Sequence, residues 1–389
     1  MSKKILFFLY GISIISLFFY SFTQVDLGLT FTRHLILQPI QGLFQNIGYF
    51  NRPLSTYLYI GIMTSLFFCY FYFIKMTENK LINRKEIWYL LIISTIFLSF
   101  SYNMLSYDLF NYIFDAKIFT NYNLNPYMYK ALDFPGDPML SFMHWTHRVY
   151  PYGPIWLAIS IVLSYAGLQF LAPTLIIFKL FMAGTFIGTL FYLEKIFIKL
   201  SKKDALTRVV LFGFNPLVVT ESLVSAHHDI VMIFFAVASL YFIFEKRYLI
   251  SSILLLFSIG IKFATIFIVP AYIFIAKKQL DKWYLFAISS CFFMAVAILF
   301  ASFRTEFQPW YLLWIMPFSL FLTKKEYIIF PFFVVSIILE LSYVPYLFIG
   351  NWDAPIPVIR TNMYLGALFI IIIYEFLLFW RNNKAKNIS

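Results

Sequence analysis

Long apolar runs separated by short polar segments make up most of this chain. Runs that could cross a bilayer, which takes roughly 20 residues, lie at 5–22, 54–74, 87–105, 174–196, 206–225, 229–245, 249–262, 263–276, 283–301, 310–323, 327–348 and 361–380. Those at 249–262, 263–276 and 310–323 are short, so we interpret them as tilted, broken or packed inside a bundle. The pattern predicts an all-α polytopic membrane protein with about 12 transmembrane helices. We expect one domain over 1–389, with the helices of 1–86 at its periphery.

The longest polar interruption, Ser106 to Pro154, begins with a helical stripe. At about 100° per residue, four polar residues share one side: Asp108, Asn111, Tyr112 and Asp115. The apolar residues between them, such as Phe110 and Phe114, turn away from Asp115. This pattern predicts a short amphipathic helix at the membrane surface with two carboxylates on its wet face. Such carboxylates could serve as acid or base for a substrate at the membrane interface.

The run from Pro154 to Ala172 decides the topology, because counting it as a span reverses the side of every later loop. If it re-enters without crossing, the inner loops hold 21 Lys and Arg residues and the outer segments hold seven. That bias agrees with the positive-inside rule, and a crossing would reverse it. We therefore predict a multi-pass protein of the cell membrane with both termini cytoplasmic and the 106–172 loop outside. We also expect an uncleaved signal anchor at the first run, because no small-residue cleavage site follows it.

Composition supports the membrane class. The chain is 61% hydrophobic and 12% charged, with a mean hydropathy of +0.80, which excludes a soluble domain. The net charge of +12 comes from basic residues in the loops, so we expect no nucleic-acid partner. Cys69 and Cys291 both lie inside apolar runs, and no metal-ligand spacing occurs. We expect neither a disulfide nor a zinc site.

Other polar groups fall near the same predicted outer face. Asn215-Pro216 interrupts an apolar run, because proline removes a helical donor, and the chain then reaches His227-His228-Asp229. Lys262 lies where two short runs meet, with no acidic neighbour in sequence, and Gln308 to Trp314 opens the next outer junction beside Arg304. Ionisable groups inside a membrane are costly, so each is a functional hypothesis.

Each of these features also has an ordinary structural explanation. Asp108 and Asp115 could be solvated loop carboxylates, and His227-His228-Asp229 could cap a helix. Lys262 could extend towards the headgroups, and Trp310 could belong to an interfacial aromatic belt. Only the convergence of these groups on one face favours a site.

The residues in this order resemble a known family. The matching motifs are Tyr107-Asp108-Leu109-Phe110-Asn111-Tyr112, Asn125-Pro126-Tyr127, Tyr152-Gly153-Pro154, Asn215-Pro216-Leu217, Ala226-His227-His228-Asp229, Lys262 and Gln308-Pro309-Trp310-Tyr311-Leu312-Leu313-Trp314. The chain is similar over about 97–320 to the bacterial polyprenol-phosphate-mannose-dependent alpha-1,6-mannosyltransferases. The resemblance implies a GT-C fold with juxtamembrane helices in the first large outer loop, and it puts Asp108 in the catalytic position. Where that family commonly shows His-Asn-Asp, this chain has His227-His228-Asp229.

The chemistry of such a transfer suggests roles for the residues. The donor, a sugar on a polyprenyl phosphate, already carries a leaving group, so the enzyme must activate an acceptor hydroxyl and stabilise charge on the phosphate. Asp108 suits the first task and Lys262 the second, and a single displacement inverts the anomeric carbon. The other predicted substrate-binding residues are Asp115, Tyr112, Tyr152, His227, His228, Asp229, Arg148, Arg304 and Trp310. No cofactor is required, although a divalent cation is an alternative.

The expected partners are a polyprenyl-phosphate-linked sugar, a glycan or glycolipid acceptor of the cell envelope, and membrane lipid. One rival class is a transporter or flippase of lipid-linked glycans, which also uses broken helices and charges inside the membrane. The chain has no obvious internal repeat, and its polar groups cluster at one face, which favours an enzyme. A protein O-mannosyltransferase-like enzyme would share the fold and differ in its acceptor.

Overall fold

The computed structural model describes residues 1–30, 34–201, 203–277, 282–322 and 326–386, and this part of the chain is mostly helical. These ranges contain no β-strand, and one isolated antiparallel bridge pairs Lys130 with Val149. The α-helices are α1 Lys3–Ser21, α2 Leu37–Gln45, α3 Arg52–Glu78, α4 Arg84–Leu98, α5 Asp108–Thr120, α6 Pro154–Ala166, α7 Leu171–Ser201, α8 Ala205–Gly213, α9 Pro216–Val219, α10 Asp229–Phe244, α11 Tyr248–Ile261, α12 Val269–Lys277, α13 Trp283–Arg304, α14 Leu312–Ser319, α15 Glu326–Leu341, α16 Val344–Ile349 and α17 Ile356–Lys386. The predicted all-α class is confirmed.

Six helical segments of the described ranges are long and apolar enough to cross a membrane: Lys3–Gln24, Arg52–Glu78, Leu171–Ser201, Trp283–Arg304, Tyr327–Ile349 and Ile356–Arg381. A bent pair, Ala205–Gly213 with Pro216–Val224, makes a seventh if it counts as one span. Several other apolar runs form helices that are too short to cross about 30 Å of hydrocarbon at 1.5 Å per residue, namely α6, α10 and α11. The helices are consistent with a multi-pass membrane protein, and the count of about 12 spans stays a prediction.

The predicted break at Asn215-Pro216 is present between α8 and α9. The side-chain oxygen of Asn215 accepts hydrogen bonds from the N–H groups of Leu217 (3.0 Å) and Val218 (3.3 Å), so it caps the new helix. Its amide nitrogen donates to Ser336 Oγ at 2.8 Å. The axis turns by 61° at this point, and a π-helical turn, Thr220–Val224, follows. The break therefore redirects the chain towards His227.

The predicted helix after Tyr107 is α5, but the middle of its polar stripe is not exposed to solvent. Asn111 and Tyr112 are buried together with the apolar residues of the helix. The reason is that the polar loop folds back over α5, so that Asn111 Nδ2 donates to the carbonyl of His144 at 2.8 Å. The expectation of a solvent-exposed polar stripe was wrong for Asn111 and Tyr112, which face protein, whereas Asp108 and Asp115 are partly exposed.

Two glycines let the start of α6 lie directly against the end of α11. The N–H of Gly153 donates to the carbonyl of Ile261 at 3.1 Å. A Cβ on Gly153 would lie 2.2 Å from the carbonyl oxygen of Gly260, and one on Gly260 would lie 2.4 Å from the side chain of Ile155. Because Lys262 follows Ile261, this crossing fixes Lys262 beside the start of α6.

Gly153→Ala is expected to destabilise the protein, because the new methyl group meets backbone rather than a mobile side chain. Overpacking of this kind costs about 1–3 kcal/mol, so thermal unfolding in detergent should occur at lower temperature. Gly136→Ala is the matched control, since a Cβ at this exposed position of the same loop has nothing within 4 Å. Equal melting temperatures for the two variants would contradict the tight crossing.

The membrane side of each loop stays a prediction that labelling can test. Of the residues behind the charge bias, Arg33, Lys202, Lys278, Lys324 and Lys325 lie outside the described residues. In a background without the native cysteines, Gly136→Cys should react with an impermeant maleimide added to intact cells. Lys203→Cys should react only after the cells are opened, and both positions are exposed. The opposite pattern would invert the predicted topology.

Candidate active site

Asp108 begins α5, where the unpaired N–H groups of the first turn favour a carboxylate. Its own N–H donates to Ser106 Oγ at 3.2 Å. The carboxylate is 13% exposed, which is enough for a small group to reach it. The position thus combines a fixed backbone with a partly accessible base.

The partners of Asp108 come from three separate parts of the chain. The Tyr112 hydroxyl donates to Oδ2 at 3.5 Å, and His227 Nδ1 lies 3.7 Å from the same oxygen. Arg148 Nη2 lies 3.9 Å from Oδ1, and its guanidinium stands over the Trp145 ring. All of these contacts are long. Both oxygens of Asp108 can therefore still accept a proton from a substrate.

The two histidines before α10 contact different aromatic residues. The His227 ring stacks on Trp310, with 3.9 Å between centroids and 19° between planes. His228 Nδ1 forms a 2.7 Å hydrogen bond with the Tyr112 hydroxyl, and its ring stacks on Trp156 at 5.2 Å. Tyr112 therefore connects His228 to Asp108.

Asp229, the first residue of α10, is fully buried and pairs with Lys262. Lys262 Nζ donates to Asp229 Oδ1 at 2.8 Å, and Trp314 Nε1 donates to the same oxygen at 2.5 Å. The Lys262 side chain is 20% exposed, and its ammonium lies 5.0 Å from the Trp314 ring and 5.5 Å from the Tyr311 ring. The sequence shows no acidic neighbour for Lys262, but the fold supplies one.

The structure gathers most of the predicted site residues into one cluster and leaves one apart. The cluster consists of Asp108, Tyr112, Arg148, His227, His228, Asp229, Lys262 and Trp310. Tyr152 joins the cluster through ring contacts with Tyr112 at 5.3 Å and with His228 at 4.4 Å. Arg304 is exposed at the last residue of α13, and among the described residues no hydrogen bond, ion pair or ring contact joins it to the cluster. Its predicted role in substrate binding thus lacks support from a contact.

Asp115 lies two turns after Asp108 on the same side of α5. Burial raises the pKa of Asp115 to about 8, Arg148 opposes this shift, and the charge of Asp108 adds to it. The carboxyl group is therefore largely protonated at neutral pH. A neutral acid can donate a hydrogen bond to a sugar hydroxyl.

This pKa predicts how stability depends on pH. The unfolded chain ionises Asp115 near pH 3.9, whereas the folded chain holds its proton up to about pH 8. The contribution of Asp115 to stability is complete below about pH 4 and is lost as the pH rises through about 8. Between pH 5 and pH 8.5, the melting temperature of wild type should fall further than that of Asp115→Asn. Asp133→Asn, at an exposed position of the same loop, is the control. Parallel melting curves for wild type and Asp115→Asn would contradict the shift.

The sequence did not lead us to predict Glu221, Trp156 or Trp314 as site residues, although Trp314 ends one of the matching motifs. Glu221 is fully buried, and its Oε2 lies 3.2 Å from His227 Nε2. A signal for it was available, because it is an acid inside the apolar run 206–225, where a charge is expensive. Nothing in the spacing of either tryptophan indicates its contact.

Buried polar atoms without hydrogen-bond partners concentrate in this cluster. Within the described part of the chain they include His227 Nδ1 and Nε2, His228 Nε2, Asp229 Oδ2 and Glu221 Oε2. Folded proteins leave few such atoms, and a concentration of them calls for an explanation. A polar ligand that completes their bonds supplies one. The same ranges hold no group of three or more His, Cys, Asp or Glu side chains arranged to bind a metal.

Comparison with known protein families gives a match over most of the chain. The family model described as "Alpha-(1->6)-mannopyranosyltransferase, N-terminal domain" matches residues 17–278. No curated protein and no solved structure matches the chain. The matched region contains Asp108, Glu221, His227, Asp229 and Lys262, so nearly all of the cluster lies inside it.

Proposed function

Because the chain belongs to the alpha-(1->6)-mannopyranosyltransferase family, we propose that it transfers mannose from a polyprenyl-phosphate donor to a glycan or glycolipid acceptor. The reaction takes place at the outer face of the cell membrane, in a GT-C-like helical bundle. The observation that carries the proposal is the connection of a partly accessible carboxylate, Asp108, through Tyr112 and His228 to the Asp229–Lys262 pair. A base and a cation are thereby held in one cluster.

The proposed reaction is a single displacement. Asp108 takes the proton of an acceptor hydroxyl as the oxygen attacks the anomeric carbon of mannose. The bond between that carbon and the phosphate oxygen breaks, and polyprenyl phosphate leaves with the bonding electrons. Lys262 and Arg148 stabilise the charge that grows on the phosphate. Configuration at the anomeric carbon is inverted.

Lipid binding fits the surface next to Lys262. The 3-10 helix Phe263–Ile268 directly follows this lysine, and both Phe263 (58%) and Ile266 (53%) are exposed. A donor whose phosphate contacts Lys262 could therefore lay its prenyl chain on an apolar surface. Asp115, Tyr152 and Trp310 would contact the sugar.

The experiment is transfer by purified protein in proteoliposomes. Radiolabelled mannose on polyprenyl phosphate is compared with polyprenyl-phosphate glucose and with nucleotide-linked mannose, using an alpha-mannoside glycolipid as acceptor. We expect label to reach the acceptor from polyprenyl-phosphate mannose, with or without a chelator, since the proposed reaction needs no cofactor. Transfer from the nucleotide alone would overturn the proposed donor. Movement of the lipid-linked sugar across the membrane without transfer would support a flippase, and labelling of a Ser/Thr peptide would indicate a protein O-mannosyltransferase.

A further inference from the structure

Glu221 and His227 form a buried pair directly behind Asp108. Glu221 Oε2 lies 3.2 Å from His227 Nε2, and His227 Nδ1 lies 3.7 Å from Asp108 Oδ2. Both Glu221 and His227 are completely buried. One imidazole thus stands between two carboxylates, one facing the substrate side and one in the interior.

The backbone holds this pair in a fixed geometry. Glu221 lies on the π-helical turn that follows the 61° bend, and π-turns are frequent at functional sites. The N–H of His227 donates to the carbonyl of Glu221 at 2.9 Å. This bond closes a turn in which Ala226 has φ +56°, a left-handed conformation usually taken by glycine.

Two side-chain contacts also hold His227 and Glu221 in place. Trp310 stacks on one face of the His227 ring, and the Tyr343 hydroxyl donates to Glu221 Oε1 at 2.8 Å. Oε2 of Glu221 and both ring nitrogens of His227 have no hydrogen-bond partner among the described residues. Glu221 Oε2 and His227 Nε2 thus lie 3.2 Å apart at the buried end of the site, while His227 Nδ1 lies on the side of Asp108.

We propose that Glu221 is a positioning residue that acts through His227 to remove the acceptor's proton from Asp108. The inference rests on the proposed function. The proton of the acceptor hydroxyl passes to Asp108 Oδ2 and then to Nδ1 of a neutral His227 whose N–H is at Nε2. The imidazolium formed is stabilised by the Glu221 carboxylate, and Asp108 becomes ionised again. After the product leaves, the proton returns through Asp108 to outer water, so no other bond changes.

Several titratable or charged groups surround this path. Those that face His227, Asp108 or Glu221 from the packed elements are Arg148, Tyr112, Asp115, Tyr152, His228, Asp229, Lys262, Tyr311, Tyr343 and Glu340. Glu194 offers a matched control because it is also a buried carboxylate, accepts hydrogen bonds from Arg84 at 2.7 and 2.8 Å, and makes no contact with Glu221 or His227 among the described residues. Its replacement tests whether loss of any buried acid has the same effect.

The test is the pH dependence of mannosyl transfer by Glu221→Gln and Glu194→Gln in the full-length protein. For Glu221→Gln we expect kcat to fall by about 10- to 100-fold, which is below the loss of a complete general base. The acid limb of the kcat–pH profile should move to lower pH, because the imidazolium loses one of its two carboxylates. KM for polyprenyl-phosphate mannose should stay within about twofold, since Glu221 is buried behind the site. Glu194→Gln should keep the wild-type profile.

A Glu221→Gln profile that superimposes on wild type would overturn the inference, as would an identical shift in Glu194→Gln. If Glu221→Gln does not fold, Glu221→Asp keeps the charge but shortens its reach. A loss of kcat with an unchanged donor KM then supports the relay, and a wild-type profile refutes it. Absence of transfer by wild type would refute the proposed function instead, so the two failures are distinguishable.

Discussion

Asp108→Asn is expected to lower the rate of mannosyl transfer by about 10²- to 10⁴-fold, the usual effect of losing a general base. The amide keeps the size of the side chain and can still accept from Tyr112, but it cannot take the acceptor's proton. Donor binding should be retained, because Asp108 acts on the acceptor. Single-turnover transfer and donor affinity, measured in liposomes at matched protein levels, separate the two effects.

Asp115→Asn is the comparison for that result. This residue lies on the same side of α5, and a protonated Asp115 differs little from asparagine, so the variant should lose much less activity. If Asp115→Asn were inactive while Asp108→Asn turned over within a few-fold of wild type, the two roles would be reversed. Activity in both variants would place the reaction elsewhere in the protein.

Lys262→Met is expected to raise KM for the polyprenyl-phosphate donor by about 10- to 150-fold, corresponding to the 1.5–3 kcal/mol of a charge-assisted hydrogen bond. The reason is that Lys262 is a partly exposed cation of the cluster and pairs with the buried Asp229. Initial rates over a range of donor concentrations give the measurement.

Lys262→Met alone also leaves the buried carboxylate of Asp229 without its ion-pair partner. This uncompensated charge destabilises the fold, independently of any effect on donor binding. The double variant Lys262→Met with Asp229→Asn removes both charges and is the control for this effect. It should recover the thermal stability lost in the single variant while KM stays high. An unchanged dependence of rate on donor concentration in both variants would exclude Lys262 from phosphate binding.

Local patterns in the sequence predicted the elements that carry the site. The stripe beginning at Asp108 predicted α5, and Asn215-Pro216 predicted the break before His227. Both signals depend on neighbouring residues, through helical periodicity and the missing N–H of proline. The placement of His227-His228-Asp229 and Lys262 near one another followed from the expected topology, and the Lys262–Asp229 contact agrees with it.

Contacts between distant segments could not be predicted in the same way. The loop around His144 covers Asn111, so this part of the polar stripe is buried against protein. Hydrophobic periodicity could not predict this burial, because it does not show which segment packs over a polar stripe. The Glu221–His227 contact depends on a π-turn and a left-handed Ala226, which have no reliable sequence pattern. The number of spans was uncertain for a related reason. Apolar runs of equal length in the sequence, such as 87–105 and 283–301, form helices of 15 and 22 residues.

The most direct test of the proposed active site is a structure of the protein with a non-transferable donor, a polyprenyl phosphonate analogue of the mannosyl phosphate. In that structure we expect the phosphorus group to contact Lys262 and Arg148. The prenyl chain should pass Phe263, and the anomeric carbon should face the Asp108 carboxylate. Donor bound with its phosphorus group away from Lys262, and its sugar on a side of the bundle that Asp108 does not reach, would contradict this expectation.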